Sequence, residues 1–350
     1  MQKTSAGNFF EDFALEQKLR HATPRTLSAG DVSLYTALYG SRFAVNSAQP
    51  FAQSLGFKQA PVDDFLTFHV VFGKTVPDVS LNAVANLGYA EGRFLAPVYV
   101  GDTLTTSSTV IGLKQNSNGK TGTVYVRSVG VNQRDEPVID YVRWVMVNKR
   151  DPGSAAPEAS VPDLSDHVSS QNLWVPEGLR MAGYDTALAG SPHLWDDFVL
   201  GERIDHVDGI TVEEAEHMMA TRLYQNTARV HFNQLAQQES RFGRRLIYGG
   251  HVISLARALS FNGLANSFRI AAINGGRHVA PLFAGDTVFA WSEVLDKAEI
   301  SGHHDVGALR LRTIATKDQP CAEFPDRDAE SKFLPAVILE LDYWVLMPRR

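Results

Sequence analysis

The chain has 350 residues, 44% of them apolar, with a formal charge of −6 and a pI near 6.0. This is enough for about two domains with real cores and excludes a disordered or fibrous chain. Lysine and arginine are scattered rather than striped, so no surface for phosphate backbones is evident and nucleic acid is not an expected partner.

The N-terminal stretch MQKTSAGNFFEDF lacks a basic segment followed by an apolar core, so no signal peptide is expected. Nothing downstream approaches the roughly 20 uninterrupted apolar residues needed to cross a bilayer. The single cysteine, Cys321 in DQPCAEFPDRD, has no partner for an internal disulfide and no neighbouring catalytic histidine. A reducing, cytoplasmic setting without membrane contact is expected.

In chain order, EDFALEQKLRH (Glu11 to His21) and TALY (Thr36 to Tyr39) precede an apolar segment, APVDDFLTFHVVFG, and then APVYVGDT (Ala96 to Thr103). Three alternating segments follow, DTLTTSSTVIGLK, TVYVRSVGVNQ and PVIDYVRWVMVN. Their period of two, with a polar partner face, predicts antiparallel strands covered on one side. NSNGKTG between the first two lacks the upstream glycine of a phosphate loop and predicts a hairpin turn. DPGSAAPEASVPDLSDHVSSQ, rich in Pro, Ser and Ala, has the composition of a connector.

The same signals then recur. DDFVLGERIDH (Asp196 to His206) and TRLY (Thr221 to Tyr224) repeat the first two segments at a displacement of 185, and APLFAGDT (Ala280 to Thr287) repeats APVYVGDT at 184. Trp144 in YVRWVMV and Trp344 in LDYWVLM differ by 200, which implies an insertion in the second copy, placed at DQPCAEFPDRDAESK. Thr211 and Glu214 predict a capping box before AEHMMATRLY. Ile253, Ala256 and Leu259 recur at helical spacing after a Gly-Gly pair and predict a buried helix. The expected organisation is an N-terminal copy over 1–152, a connector over 153–190 and a C-terminal copy over 191–350.

A long antiparallel sheet must bury its apolar face, here against one apolar helix per copy. The order of helix, polar segment ending in His231, Gly-rich turn, apolar helix and AGDT resembles the MaoC-like R-specific enoyl-CoA hydratases. Over nearly the full length the chain more closely resembles the mesaconyl-CoA hydratases, also called β-methylmalyl-CoA dehydratases. That likeness is carried by GNFFEDF, YGSRFA, RLYQNTARVHFNQ, GGHVISLARALSFNGLAN and AGDT. The resemblance implies an α+β double hotdog and a lyase that hydrates an acyl-CoA substrate. It implies no metal and no cofactor other than the CoA of the substrate. The fused copies provide internally the pairing that single hotdog domains obtain by dimerising, and homo-oligomerisation stays open.

The MaoC motif D-x-N-P-[LIV]-H falls on Asn226 to His231, where His231 and Val230 match, Asn226 replaces the aspartate, and Ala228 and Arg229 replace asparagine and proline. Histidine exchanges protons near neutrality, so His231 is the candidate catalytic base. Asn226 cannot titrate. Either it holds the water for His231 alone, or a carboxylate from elsewhere completes the dyad. Asn226 lies five residues before His231, about 140° away on a regular helix, so the segment must break its helix. Tyr248 stands at the start of the expected central helix beside Gly249 and Gly250, whose N–H groups are the candidate oxyanion donors. The free carboxylate of a mesaconyl group calls for a cation, and Arg229 is the candidate.

At a displacement of 185, Ser41 replaces Asn226, Asn46 replaces His231, and Asp63 and Asp64 stand where the glycines would be. The first copy is therefore expected to shape the acyl and CoA cleft while the second carries the chemistry. Hotdog folds also host acyl-CoA thioesterases, and a non-catalytic acyl-CoA-binding protein is a third reading. His303 and His304 in SGHHDVG lack separated ligand spacing and predict a solvated turn rather than a metal site.

Overall fold

The computed structural model describes residues 3–350. In the first half the alternating segments form β1 (Lys18–Thr26), β2 (Ala83–Phe94), β3 (Thr103–Gln115), β4 (Thr121–Val131) and β5 (Pro137–Asn148). The second half contributes β6 (Arg203–Asp205), β7 (Ile210–Thr211), β8 (Arg269–His278), β9 (Thr287–Ile300), β10 (His303–Lys317) and β11 (Val337–Pro348). All join one antiparallel sheet in the order β1-β3-β4-β5-β2-β8-β11-β10-β9-β6, with β7 added to β9. Each half of that order repeats the other about the β2–β8 seam.

The seam register makes the symmetry explicit. Tyr89 pairs with Gly276 and Gly92 with Ile273, and each pair maps onto the other at the 184 displacement. A pseudo-twofold axis therefore passes between β2 and β8, where two separate hotdog domains would otherwise have to associate.

Two long helices lie against the sheet: α2 among α1 (Ala29–Tyr39) and α2 (Asp64–Thr75), and α5 among α3 (Glu214–Leu223), α4 (Arg229–Phe232) and α5 (Gly249–Leu259). Phe65 to Thr75 of α2 and Gly250 to Leu259 of α5 are all buried, as expected of helices apolar on nearly every side. Burial of each Leu, Ile or Phe contributes about 1.5–3 kcal/mol. The result is an α+β double hotdog.

The repeated segments have structural explanations. Gly101 and Gly285 of the GDT turns adopt φ of 96° and 97°, which favours glycine. Their N–H groups donate to Leu27 and Val212, themselves equivalent at 185. Tyr39 and Tyr224, from TALY and TRLY, meet hydroxyl to hydroxyl at 2.7 Å across the axis. His21 and His206 each hydrogen-bond a strand serine, Ser108 and Ser292, at 2.8 Å.

Three expectations change. Thr211 does not cap α3: its hydroxyl pairs with Thr287 across the β7–β9 edge, and Glu213 takes the N-cap without a side-chain bond. The connector itself packs on the sheet. Val168, Leu173, Val175 and Met181 are buried against Trp344 and Leu346 on the sheet face opposite the long helices. Both faces of β11 are thereby covered, rather than one. NSNGKTG does form the β3–β4 hairpin and the inserted segment separates β10 from β11, whereas His303 and His304 stand in β10, just after a turn rather than in it.

Candidate active site

After Leu223 the chain leaves the helix, with Gln225 in the left-handed region at φ 55°. Asn226 closes the turn by accepting the Ala228 N–H on Oδ1 at 3.1 Å. The four-residue α4 then restarts one turn later. This interruption places Asn226 and His231 on one cavity of about 330 Å³, together with Ala228, Val230, Tyr248 and Gly249. The opposite wall comes from the first copy and includes Phe72, Ser80, Asn86, Tyr89 and Arg143.

His231 donates from Nδ1 to the Leu246 carbonyl at 2.9 Å. A carbonyl can only accept, so the proton resides on Nδ1 and Nε2 carries the lone pair. Burial lowers the imidazole to about 4 against the opposing pull of that bond. His231 is therefore neutral at pH 7, in the tautomer a general base requires. In the first copy Asn46 makes the equivalent bond to the Pro61 carbonyl at 3.1 Å. It retains the structural contact and has no basic nitrogen.

Tyr248 is the N-cap of α5 and provides no side-chain cap. The Gly249 and Gly250 N–H groups, at the first two positions of the helix, have no intrahelical acceptor. Gly249 lines the cavity. A Cβ there would sit 2.3 Å from the His278 ring, and one on Gly250 would sit 2.5 Å from the His69 ring. Both glycines are thus dictated by close aromatic neighbours. At the first copy's corresponding helix start, Asp63 caps the Phe65 N–H at 2.9 Å and Asp64 accepts from Ile270 N–H. That end is closed to an anion.

Among the described residues neither Asp nor Glu lines the cavity beside His231. Arg229 does not line it either. As the first residue of α4 it faces outward, is exposed, and donates to Asn82 Oδ1 at 3.1 Å. Val230 and His231, the next residues round the helix, turn inward.

Several residues were not singled out from the sequence. His278 lines the cavity 3.2 Å from the Tyr89 hydroxyl, and burial lowers it to about 4. His217 accepts the Tyr248 N–H on Nε2 at 2.9 Å and so fixes the start of α5. His251 bonds Tyr39, and His69 of the first copy bonds Ser254. His251 directly follows the Gly pair and His69 lies in the apolar run FLTFHVVF. A histidine within an otherwise apolar helix is the signal that could have found both.

The family model for mesaconyl-CoA hydratase matches residues 1–325. This chain belongs to the mesaconyl-CoA hydratase family. It is 67% identical to β-methylmalyl-CoA dehydratase of Chloroflexus aurantiacus over 99% of both chains. It is 59% identical to mesaconyl-CoA hydratase of Cereibacter sphaeroides over 99% of this chain and 100% of that one. The crystal structure of a MaoC domain dehydratase from Chloroflexus aurantiacus superposes with a TM-score of 0.98 at 66% identity, covering all of both chains. A double-hotdog protein of Mycobacterium tuberculosis superposes at 0.78 with 25% identity over 98% of this chain and 99% of that one. Among the described residues of this family member, no helix is long and apolar enough to cross a membrane.

Proposed function

We infer that the chain is a hydro-lyase that reversibly adds water to mesaconyl-CoA to give β-methylmalyl-CoA. The observation that carries the site assignment is His231, held neutral with its Nε2 lone pair free beside Asn226 and the open N-terminus of α5.

The cavity supports the following mechanism. The Oδ1 of Asn226 is engaged by Ala228, so its amide N–H groups are the ones that hold a water against His231. His231 Nε2 takes one proton from that water as its oxygen bonds to the β-carbon. The carbon–carbon π electrons move toward the thioester, and the charge on its oxygen is met by the Gly249 and Gly250 N–H groups. With no carboxylate on the lining, the imidazolium just formed is the acid that protonates the α-carbon. Water adds across the double bond and His231 returns to its starting state. Dehydration is the same path reversed. The first copy contributes Phe72, Tyr89 and Val145 to the acyl wall and no proton-transfer group at Asn46.

The test is to follow the enoyl-thioester absorbance of mesaconyl-CoA with a parallel assay for free thiol. Loss of absorbance without thiol release, abolished in His231→Ala, is expected. Thiol release would instead make the protein a thioesterase.

A further inference from the structure

The first copy buries a cation that the fold leaves without a counter-ion. Arg143 on β5 has no exposed surface and lines the cavity from the wall facing His231. Its Nη2 donates to Thr75 Oγ1 at 2.7 Å and Ser80 Oγ at 3.3 Å, and its guanidinium lies 4.2 Å over the Phe72 ring. A guanidinium has five N–H donors, and those on Nε and Nη1 meet no acceptor. The ionisable groups bearing on it are the hydroxyls of Tyr141, Tyr89 and Tyr248, not a carboxylate.

The other two arginines enclosed to this degree are different. Arg269 stands 3.9 Å from Asp64, and Arg257 feels both Asp63 and Asp64. Nor does the architecture require an arginine here. At the displacement of 200 that relates Trp144 to Trp344, the second copy has Tyr343, which bonds Thr313 at 3.0 Å. A buried charge without a partner is costly to retain. Its compensation must come from what enters the cavity. On the neighbouring strand Asn86, also on the lining, has both side-chain amide atoms buried without partners.

We propose that Arg143, assisted by Asn86, receives the free carboxylate of the substrate and sets the enzyme's preference for dicarboxylic over monocarboxylic enoyl-CoA thioesters. Arg229, the nearest arginine to His231 in sequence, is engaged outside the cavity by Asn82. The division of labour is then complete: the second copy moves protons and the first copy reads the distal charge. This rests on the hydratase reading for the identity of the acyl group, although not for the presence of an anion receptor.

The experiment separates the two. Binding is measured by calorimetry with methylsuccinyl-CoA and 2-methylbutyryl-CoA, saturated thioesters that cannot be hydrated and that differ by carboxylate against methyl. Native protein is expected to prefer the charged ligand by on the order of 100-fold, with the preference lost in Arg143→Met and partly kept in Arg143→Lys. In turnover, Arg143→Met should lower kcat/KM for mesaconyl-CoA by on the order of 100-fold or more and that for 2-methylcrotonyl-CoA far less. Equal loss on both substrates, or no charge preference in the native protein, overturns the proposal. If mesaconyl-CoA is not hydrated but the charge preference in binding is present and depends on Arg143, the hydratase reading fails and the receptor stands. If Arg143→Met does not fold, Arg143→Lys, which keeps the charge, decides by the same ligand pair.

Discussion

At the residue scale, the environment of His231 makes a claim about pH. In the proposed mechanism its neutral form is the base, and burial lowers its pKa to about 4. The acid limb of kcat/KM should therefore fall near pH 4, well below the 6.5 of an exposed histidine. A limb centred at 6.5 in the pH–rate profile would contradict the assignment. His231→Ala should reduce kcat by about 10²–10⁴ without changing the denaturation midpoint greatly. Asn226→Asp keeps the oxygen that accepts from Ala228 and removes the amide donors proposed to hold the water, so turnover should drop. A strong rise would show instead that the asparagine marks a weakened site. Gly249→Ala drives a methyl to 2.3 Å from the His278 ring. Steady-state kinetics should show a loss mainly in kcat, since the proposed oxyanion donor and His278 shift together.

At the element scale, α2 of the first copy sets the geometry of the turn in the second. A Cβ on Gly73 would meet the Tyr224 carbonyl at 1.8 Å, one peptide before the Gln225–Asn226 bend. Gly73→Ala must separate these elements. Urea denaturation should show a loss of about 1–3 kcal/mol, and kcat should fall although Gly73 lies far from Asn226 in sequence. The alternating strands, the two apolar helices and the duplicated order were legible because burial imposes a period on residue type. Thr211 was misread because a threonine three residues before an acidic helix start suits an edge-strand pair as well as a cap. Arg143 was hidden for a related reason. In YVRWVMV it looks like part of a polar strand face, whereas the structure puts it on the inward side with Tyr141, Val145 and Val147. Only the packing of α2 against β5 decides which face of that strand is inside. The break between Asn226 and His231 was legible, because five residues cannot place both side chains together on a continuous helix. The outward turn of Arg229 was not, since it depends on where α4 restarts.

At the scale of the whole molecule, joining the two copies gathers histidines into the shared interior, and stability should depend on pH accordingly. Burial, the leading cause in each case, lowers His69 and His251 to about 3, His206, His231 and His278 to about 4, and His217 to about 2. In the unfolded chain these groups titrate near 6.5. As pH falls through 6.5 the unfolded state binds protons that the native state refuses, so stability is lost progressively down to about pH 4. Each histidine contributes at most about 1.4 kcal/mol per pH unit to that slope. Asp63 and Asp64 act in the opposite sense. Burial raises both, Asp64 to about 6, so the native state takes up their protons before the unfolded chain does. Two carboxyls cannot offset six imidazoles, and the net slope should remain destabilising toward acid. Guanidinium midpoints measured from pH 7.5 to 5 should fall steeply. His206 provides the internal control, because its bonds to Asn262 and Ser292 lie away from the cavity. In His206→Gln the slope should lose close to one proton while the pH profile of kcat/KM stays in place. An unchanged slope in that variant, or a flat dependence in the native chain, would mean that the buried histidines titrate normally and that the interior is wetter than its packing implies.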